Sequence, residues 1–265
     1  MPTKIKHMAI LSPATHQLGR FYATLFGMDG QNESRVAHLT DGYIGLNINP
    51  MANGRKSGLN HWGFEVDDVE ALEARLRERN PEIEVVHRPS NRPFAGLTTH
   101  DPEGNIFDLS HADPSKRRSV YARAESRRTR YISHFMVPSV NATALADFYK
   151  DVYELQELPK RAADDPNLYL TDGMVTMVIN QWKLSSYGVG GLDGKPSLDH
   201  MGFHVESLDA FMADLDSMIE NDPALTPKVF REGTDELRQA LFERVALGKY
   251  QMADPEWGLL DISDE

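Results

Sequence analysis

Two stretches of the chain share one alternating pattern of apolar and polar residues. Residues 59–66 (LNHWGFEV) and 198–205 (LDHMGFHV) are identical at five of eight positions. A period of two is typical of a β-strand, and it puts Phe64 and Val66 on one face and His61 on the other. Each stretch is therefore predicted to be a strand that holds a histidine on the face opposite the packed one.

The pattern across residues 5–110 predicts two units, each with a strand, a helix and further strands. Leu18, Phe21, Tyr22, Leu25 and Phe26 have the spacing of one apolar helix face, as do Val69, Leu72 and Leu76. Asp41-Gly42 between two apolar runs indicates a hairpin. The predicted strands are Ile5–Leu11, Arg35–Leu39, Tyr43–Asn49, Leu59–Val66, Ile83–His87, Gly96–Thr99 and Ile106–Ser110.

The second half repeats this organisation. His7 corresponds to His134, Leu39-Thr40-Asp41-Gly42 to Leu170-Thr171-Asp172-Gly173, and Asp101-Pro102-Glu103 to Asp254-Pro255-Glu256. The chain is therefore predicted to contain four strand-helix-strand-strand-strand units in two pairs. Two insertions separate the copies: a Gly-rich loop at residues 187–194, and a predicted helix bearing Leu237, Leu241 and Val245. Both are candidate covers for an active site.

The charge and the amino-acid composition exclude several classes of partner and site. The net charge of −12 argues against nucleic acid as a general partner. The absence of cysteine excludes disulfides and thiolate metal sites. No apolar run reaches the length of a membrane span, and residues 1–7 lack the apolar core of a signal peptide, so we expect a cytoplasmic protein. Residues 113–130 are Arg-rich and are predicted to be a solvated basic linker between domains 1–112 and 131–265.

Three polar positions recur in both halves and form two candidate ligand sets. His7, His61 and Asp108 correspond to His134, His200 and Asp261. Two imidazoles and one carboxylate are the ligands of a divalent metal with open positions, and they suit Fe(II) as well as Mn(II), Zn(II) or Ni(II). The alternative for any one histidine is a strand residue satisfied by neighbouring backbone. Recurrence at four corresponding strands favours metal binding.

The chain resembles the vicinal oxygen chelate superfamily, which includes glyoxalase I, bleomycin-resistance proteins and type I extradiol dioxygenases. The resemblance lies in the two His-x-Gly-Phe strands, in residues 19–28 (GRFYATLFGM) and in residues 101–109 (DPEGNIFDL). It implies an α+β fold of four βαβββ modules paired into two domains. Each domain would be a curved mixed sheet that forms a cup, with helices outside and the metal inside. Superfamily members often dimerise, so a homo-oligomer is a candidate assembly.

The resemblance also shows where this chain departs from the superfamily. The carboxylate ligand is usually glutamate, and here it is Asp108 or Asp261. Glyoxalase-like members use a fourth ligand, Glu or Gln, where this chain has Gly45 and Thr176. Three ligands resemble the dioxygenase branch, in which the second pair of modules carries the metal.

Three further residues are candidate catalytic groups near the second set. Ring-cleaving members place an acid–base histidine where this chain has Asn180, and a tyrosine near Tyr250. The repeat, however, aligns Tyr250 with Leu97 and Gln251 with Thr98, so Tyr250 is one residue from the expected register. His204 lies two positions after Gly202, on the same predicted strand face as His200, and is a candidate base or substrate contact.

These features predict a metal-dependent, extradiol-type dioxygenase that acts on a small catechol-like or vicinal-oxygen substrate. In this prediction His134, His200 and Asp261 hold the catalytic metal, and His7, His61 and Asp108 are a second candidate site. Two alternatives stay open. One is an isomerase, epimerase or lyase of the glyoxalase type, in which the metal stabilises an enediolate. The other is a non-catalytic protein that binds a small molecule in an apolar cup.

Overall fold

The computed structural model describes residues 3–33, 35–51, 56–90, 92–112, 128–182, 198–228 and 234–265. Its first half forms an eight-stranded mixed sheet in the order β2-β3-β4-β1-β5-β8-β7-β6. The strands are β1 (Lys4–Ser12), β2 (Asp29–Asn32), β3 (Ala37–Thr40), β4 (Gly45–Pro50), β5 (Gly58–Val66), β6 (Val86–His87), β7 (Leu97–His100) and β8 (Ile106–His111).

The second half forms a seven-stranded sheet in the corresponding order, β10-β11-β12-β9-β13-β15-β14. Its strands are β9 (Tyr131–Ser139), β10 (Gln156–Leu158), β11 (Asn167–Thr171), β12 (Thr176–Gln181), β13 (His200–His204), β14 (Tyr250–Ala253) and β15 (Leu259–Ser263). The predicted fold of paired βαβββ modules is confirmed. The short edge strands β2 and β10 were not predicted, because their residues are polar and exposed.

Five α-helices accompany the sheets in the described ranges. They are α1 (Thr15–Phe26), α2 (Val69–Arg79), α3 (Ala142–Tyr153), α4 (Leu208–Asn221) and α5 (Thr234–Val245). The predicted insertion helix is therefore present as α5, although the side chains of Leu237 and Leu241 lie outside the described set. The predicted Gly-rich loop at 187–194 lies outside the described residues. No described helix has both the length and the apolar composition needed to cross a bilayer.

The helices of each half pack against the sheet of the other half. Phe26 at the end of α1 stacks on Phe203 of β13, with ring centroids 3.9 Å apart. Tyr153 at the end of α3 stacks on Phe64 of β5 at 4.7 Å. Apolar residues from both sheets and from α1–α4 form one continuous cluster. Helices α1 and α3 therefore lie outside the two cups, as expected, and between the two halves.

Reciprocal hydrogen bonds reinforce the contact between the halves. Tyr22 of α1 donates its hydroxyl to Asp254 Oδ2 at 2.8 Å, and Tyr149 of α3 donates to Asp101 Oδ2 at the same distance. Both carboxylates belong to Asp-Pro-Glu turns, and their Oδ1 atoms accept backbone amides of the same turn. Each turn is therefore held by its own backbone and by a tyrosine from the opposite half.

Arg130, the last residue of the predicted solvated linker, is buried, which corrects that expectation at this residue, whereas Thr129 is exposed. The Arg130 guanidinium is buried between the halves, where it bonds Glu206 at 2.5 and 2.9 Å, Asp214 at 2.6 Å and the carbonyl of Leu25 at 2.6 Å. The hydrogen bonds that Arg130 donates to Glu206 are the main cause that raises the pKa of Arg130. A run of basic residues does not show that one of its arginines forms a bidentate pair with a carboxylate, so the burial of Arg130 was not predicted.

Tyr149→Phe is expected to lower the free energy of unfolding by about 1.5–3 kcal/mol, since it removes a buried hydrogen bond to a carboxylate. Chemical denaturation measures the change. Tyr153→Phe is the matched control, because the buried Tyr153 hydroxyl has no hydrogen-bond partner among the described residues, so its loss is expected to cost nothing. Equal effects of the two substitutions would contradict the role given to Asp101.

Candidate metal centres

A one-residue bulge turns the first histidine of each half into its cup. In the β1–β5 pairing, Ile5 lies opposite Phe64 and His7 opposite Gly63, so Lys6 is the extra residue. Ser133 is the extra residue between Ile132 and His134 in the β9–β13 pairing. A bulge interrupts the alternation of faces, so the isoleucine packs in the core while the histidine, two residues later, faces the cup.

The glycine of each His-x-Gly strand makes room beside this histidine. A Cβ atom at Gly202 would lie 1.8 Å from His134 Cε1. At Gly63 it would lie 2.6 Å from Phe94 Cδ1 and 3.0 Å from His7 Cβ. The glycine in the repeated sequence is therefore required by the close approach of a ring.

The first triad consists of His7, His61 and Asp108. His61 Nε2 lies 3.3 Å from His7 Nε2 and 3.0 Å from Asp108 Oδ2, and the three ligating atoms are all within 4.8 Å of one another. Two ligands at right angles around a cation, each about 2.1 Å from it, would be roughly 3.0 Å apart. The spacing therefore fits a single metal ion.

Electrostatics prepare the first triad for a cation. Burial is the main cause that lowers the pKa of His7 to about 3, so its imidazole is neutral at neutral pH. Burial alone would raise the pKa of Asp108, but hydrogen bonds from His61 and Thr98, together with the charge of His61, lower it. His7 thus offers a neutral imidazole and Asp108 an ionised carboxylate, which are the forms that bind metals.

The second triad, His134, His200 and Asp261, meets the same distance criterion. Burial lowers the pKa of His134. Burial would raise the pKa of Asp261, but hydrogen bonding to His134, the histidine charges and the amide of Gly248 hold it well below its ordinary value. His200 donates from Nδ1 to Asp199 at 2.8 Å, and its buried Nε2 has no hydrogen-bond partner among the described residues. A buried lone pair left without a donor is the position a metal would satisfy.

The two cups differ in their access to solvent. His200 is fully buried, and the ring of Phe242 of α5 packs against it at a tilt, with centroids 4.8 Å apart. Val245 and Leu247 pack on Met136, Tyr169 and Val178 of the second cup. The insertion that was expected to cover an active site therefore fills this cup with apolar side chains.

The first cup is lined by smaller and more polar residues. Strand pairing puts His61, Ala9, Asn47 and His38 in one row across β5, β1, β4 and β3. His38 Nδ1 lies 2.8 Å from Asn47 Oδ1, and the His61 side chain is 20% exposed. The first triad is therefore the more accessible of the two.

None of the three predicted catalytic residues contacts a triad atom among the described residues. Tyr250 pairs with Ile262, which puts it on the core face of β14 against Phe211, so its expected role at the metal is contradicted. Asn180 donates a hydrogen bond to Asn167 at 2.7 Å. It lies on β12, four residues after Thr176, and Thr176 is the residue of β12 that pairs with His134. His204 is four residues from His200 and stacks on Tyr131 at 4.8 Å.

The residues that support the carboxylate ligands were not predicted. Thr98 donates to Asp108 Oδ1 at 2.5 Å, and Gln251 donates to Asp261 Oδ1 at 3.1 Å. The backbone amides of Leu247 and Gly248 also donate to Asp261. The internal repeat aligns Gln251 with Thr98. Each of these residues lies on the strand that pairs with the carboxylate strand, so this alignment was the available sequence signal.

The comparisons with known proteins agree with this architecture. The family model for the glyoxalase/bleomycin resistance protein/dioxygenase superfamily matches residues 4–109. Residues 4–109 form a domain of this superfamily. No curated protein sequence matches the chain.

Several solved structures are similar in fold to nearly the whole chain. A Mn(II)-bound glyoxalase from Novosphingobium aromaticivorans has a TM-score of 0.67 at 16% identity, over 99% of this chain and 82% of that one. A catechol 2,3-dioxygenase has a TM-score of 0.62 at 14% identity, over 98% and 87%. A 2,3-dioxygenase from Pseudomonas sp. KL28 gives 0.62 at 15%, over 98% and 91%. At these identities the likeness concerns the fold.

Proposed function

We propose that this protein is a divalent-metal-dependent enzyme of the extradiol dioxygenase type, with Fe(II) held by His7, His61 and Asp108. Its substrate would be a small catechol-like or other vicinal-oxygen compound. The observation that carries the proposal is the compact arrangement of two imidazoles and one carboxylate on neighbouring strands of one open cup. His134, His200 and Asp261 form a second metal site in this proposal, enclosed by α5.

The number of protein ligands favours the dioxygenase reaction. Gly45 pairs with His7 and occupies the position of the fourth ligand, but it has no side chain. Thr176 pairs with His134 in the second half. A metal with three protein ligands keeps positions for both oxygens of a diol and for dioxygen, which is the chemistry it would supply when bound.

The side chains of the first cup provide the remaining functions. His38 Nδ1 donates a hydrogen bond to Asn47 Oδ1, so Nε2 is the ring nitrogen that we assign to the substrate. His38 and His61 are three strands apart in their row, about 14 Å between backbones, with the small Ala9 between them. We assign to this space a flat substrate ring, with His38 as the group that takes the proton of a substrate hydroxyl.

The test is anaerobic reconstitution with Fe(II), followed by oxygen uptake with a panel of catechols. We expect about one molecule of oxygen consumed per diol and a ring-opened product that contains both oxygen atoms. His38→Gln, which keeps an amide that can bond Asn47, is expected to lower kcat and leave the iron content unchanged. Iron bound without oxygen uptake on any diol would contradict the dioxygenase reaction.

The second candidate is a metal-dependent isomerase or lyase of the glyoxalase type. The similarity in fold to a Mn(II)-bound glyoxalase supports it, as does a ligand set that Mn(II), Zn(II) and Ni(II) also accept. This reaction needs no oxygen. Turnover of a vicinal-oxygen substrate under nitrogen, with one of these ions in place of iron, would favour it over the dioxygenase.

A further inference from the structure

A cavity of about 250 Å³ opens beside the first triad, at the end of β6, β7 and β8. The polar groups that line it are His87, Arg88, Ser90, Arg92, Ser110 and His111. We call it the arginine cavity. Four of these six side chains are cationic or can become so, in a chain whose net charge is −12. Such a concentration of positive charge against the overall balance indicates a site for an anion.

The two arginines of the cavity have no acidic partner within the described residues. Among these residues, Arg88 and Arg92 form hydrogen bonds through their backbones alone. Their amides donate to the carbonyl of Gly96 and to Ser90 Oγ, and their carbonyls accept the amides of Ser90 and Ala95. In the described ranges, Glu73 is the one carboxylate that engages a residue of the cavity, and its Oε1 lies 2.7 Å from His87 Nε2. Within this part of the chain, neither guanidinium group has a partner that would compete with a ligand.

The cavity shares its walls with the first triad. Pro93 lines the cavity, and the next residue, Phe94, stacks on the His7 ring with centroids 4.9 Å apart. On β8, Ser110 lines the cavity two residues after Asp108, on the same face of the strand and about 7 Å further along it. A molecule of a few carbons beyond a metal-bound diol spans that distance.

We propose that the arginine cavity binds the carboxylate or phosphate of a substrate whose vicinal oxygens reach the first triad. Planar guanidinium groups bind such oxyanions through paired hydrogen bonds, and they do so best where two of them converge. This inference rests on the proposed function and narrows its substrate class to anionic vicinal-oxygen compounds.

The test is calorimetric titration of the Zn(II)-loaded and the metal-free protein with three probes. They are 3,4-dihydroxyphenylacetate, 3,4-dihydroxybenzylphosphonate and the neutral 4-ethylcatechol. We expect at least one anionic probe to bind the Zn(II)-loaded protein about tenfold or more tightly than the neutral one, and the tighter of the two identifies the oxyanion. Arg88→Gln/Arg92→Gln is expected to abolish this preference and to leave the affinity for 4-ethylcatechol and the zinc content unchanged.

The matched control is Arg75→Gln/Arg77→Gln, which removes the same charge from the exposed helix α2 and is expected to keep the preference. Equal affinity for all three probes in protein that holds zinc would overturn the arginine cavity and leave the metal proposal standing. A preference that persists without zinc and disappears in Arg88→Gln/Arg92→Gln would support the cavity even if the triad held no metal.

Discussion

His61→Ala is expected to remove one metal ion per chain and to reduce turnover about a thousandfold or more. His61 Nε2 is the atom common to both close distances of the first triad, so its loss leaves His7 and Asp108 without the ligand between them. A catalytic metal supplies several kcal/mol of barrier reduction, which sets the size of the loss. Metal analysis and oxygen uptake of the same preparation measure both effects.

His200→Ala is the matched substitution in the second triad. It is expected to remove the other metal ion and to change turnover by no more than a fewfold, because α5 and the residues after it close that cup. Loss of turnover in His200→Ala but not in His61→Ala would assign the chemistry to the second half, as in dioxygenases of the superfamily. An unchanged metal content in both variants would contradict the ligand assignment.

Asp254→Ala is expected to lower the free energy of unfolding by about 3 kcal/mol or more. The buried carboxylate accepts the amides of Glu256 and Gly258 at Oδ1 and the Tyr22 hydroxyl at Oδ2, and alanine would leave these three donors unpaired. Denaturant unfolding at about pH 4, where the contribution of protonated Asp254 is present, measures the change. A loss below about 1 kcal/mol would show that these bonds do not hold the two halves together.

Asp254→Asn separates the hydrogen bonds of this group from its charge. Burial raises the pKa of Asp254 to about 6 from 3.8, so its contribution to stability is complete below pH 4 and is lost as pH rises to about 6. A shift of about two units corresponds to about 3 kcal/mol. Asparagine accepts the same two amides without ionising, so the variant is expected to lack this part of the pH dependence. Parallel curves for both proteins between pH 4 and 7 would contradict the assigned pKa.

The ligands of both candidate centres could be predicted from the sequence because the chain is internally duplicated. Residues that recur at corresponding positions in the two halves can be recognised by comparing one half with the other. A lone His61 has several ordinary explanations, whereas a histidine and a glycine at the same spacing in both halves indicate a geometric requirement. The structure supplies that requirement: Gly202 leaves room for the ring of His134. The alignment of Tyr250 with Leu97 likewise predicted its displaced register, and pairing with Ile262 puts it in the core.

Other features depend on contacts between segments that are distant in the chain. The bulges at Lys6 and Ser133 are set by the pairing with β5 and β13. No local turn sequence marks either of them. The burial of Arg130 depends on Glu206, 76 residues away. The two cups differ in solvent access because α5 and the residues after it pack into the second cup. The apolar periodicity of α5 predicts a helix, but it does not predict which surface the helix packs against.

The helix contacts between the two halves are reciprocal. Phe26 on Phe203 and Tyr153 on Phe64, with Tyr22 to Asp254 and Tyr149 to Asp101, are the reciprocal contacts of a symmetric dimer interface. Two identical subunits joined in this way must carry every substitution twice. A single polypeptide with two such halves has no such obligation, and here the second cup has a closed, apolar interior while the first triad is accessible. The symmetric contact between the halves thus supports two sites that differ from each other.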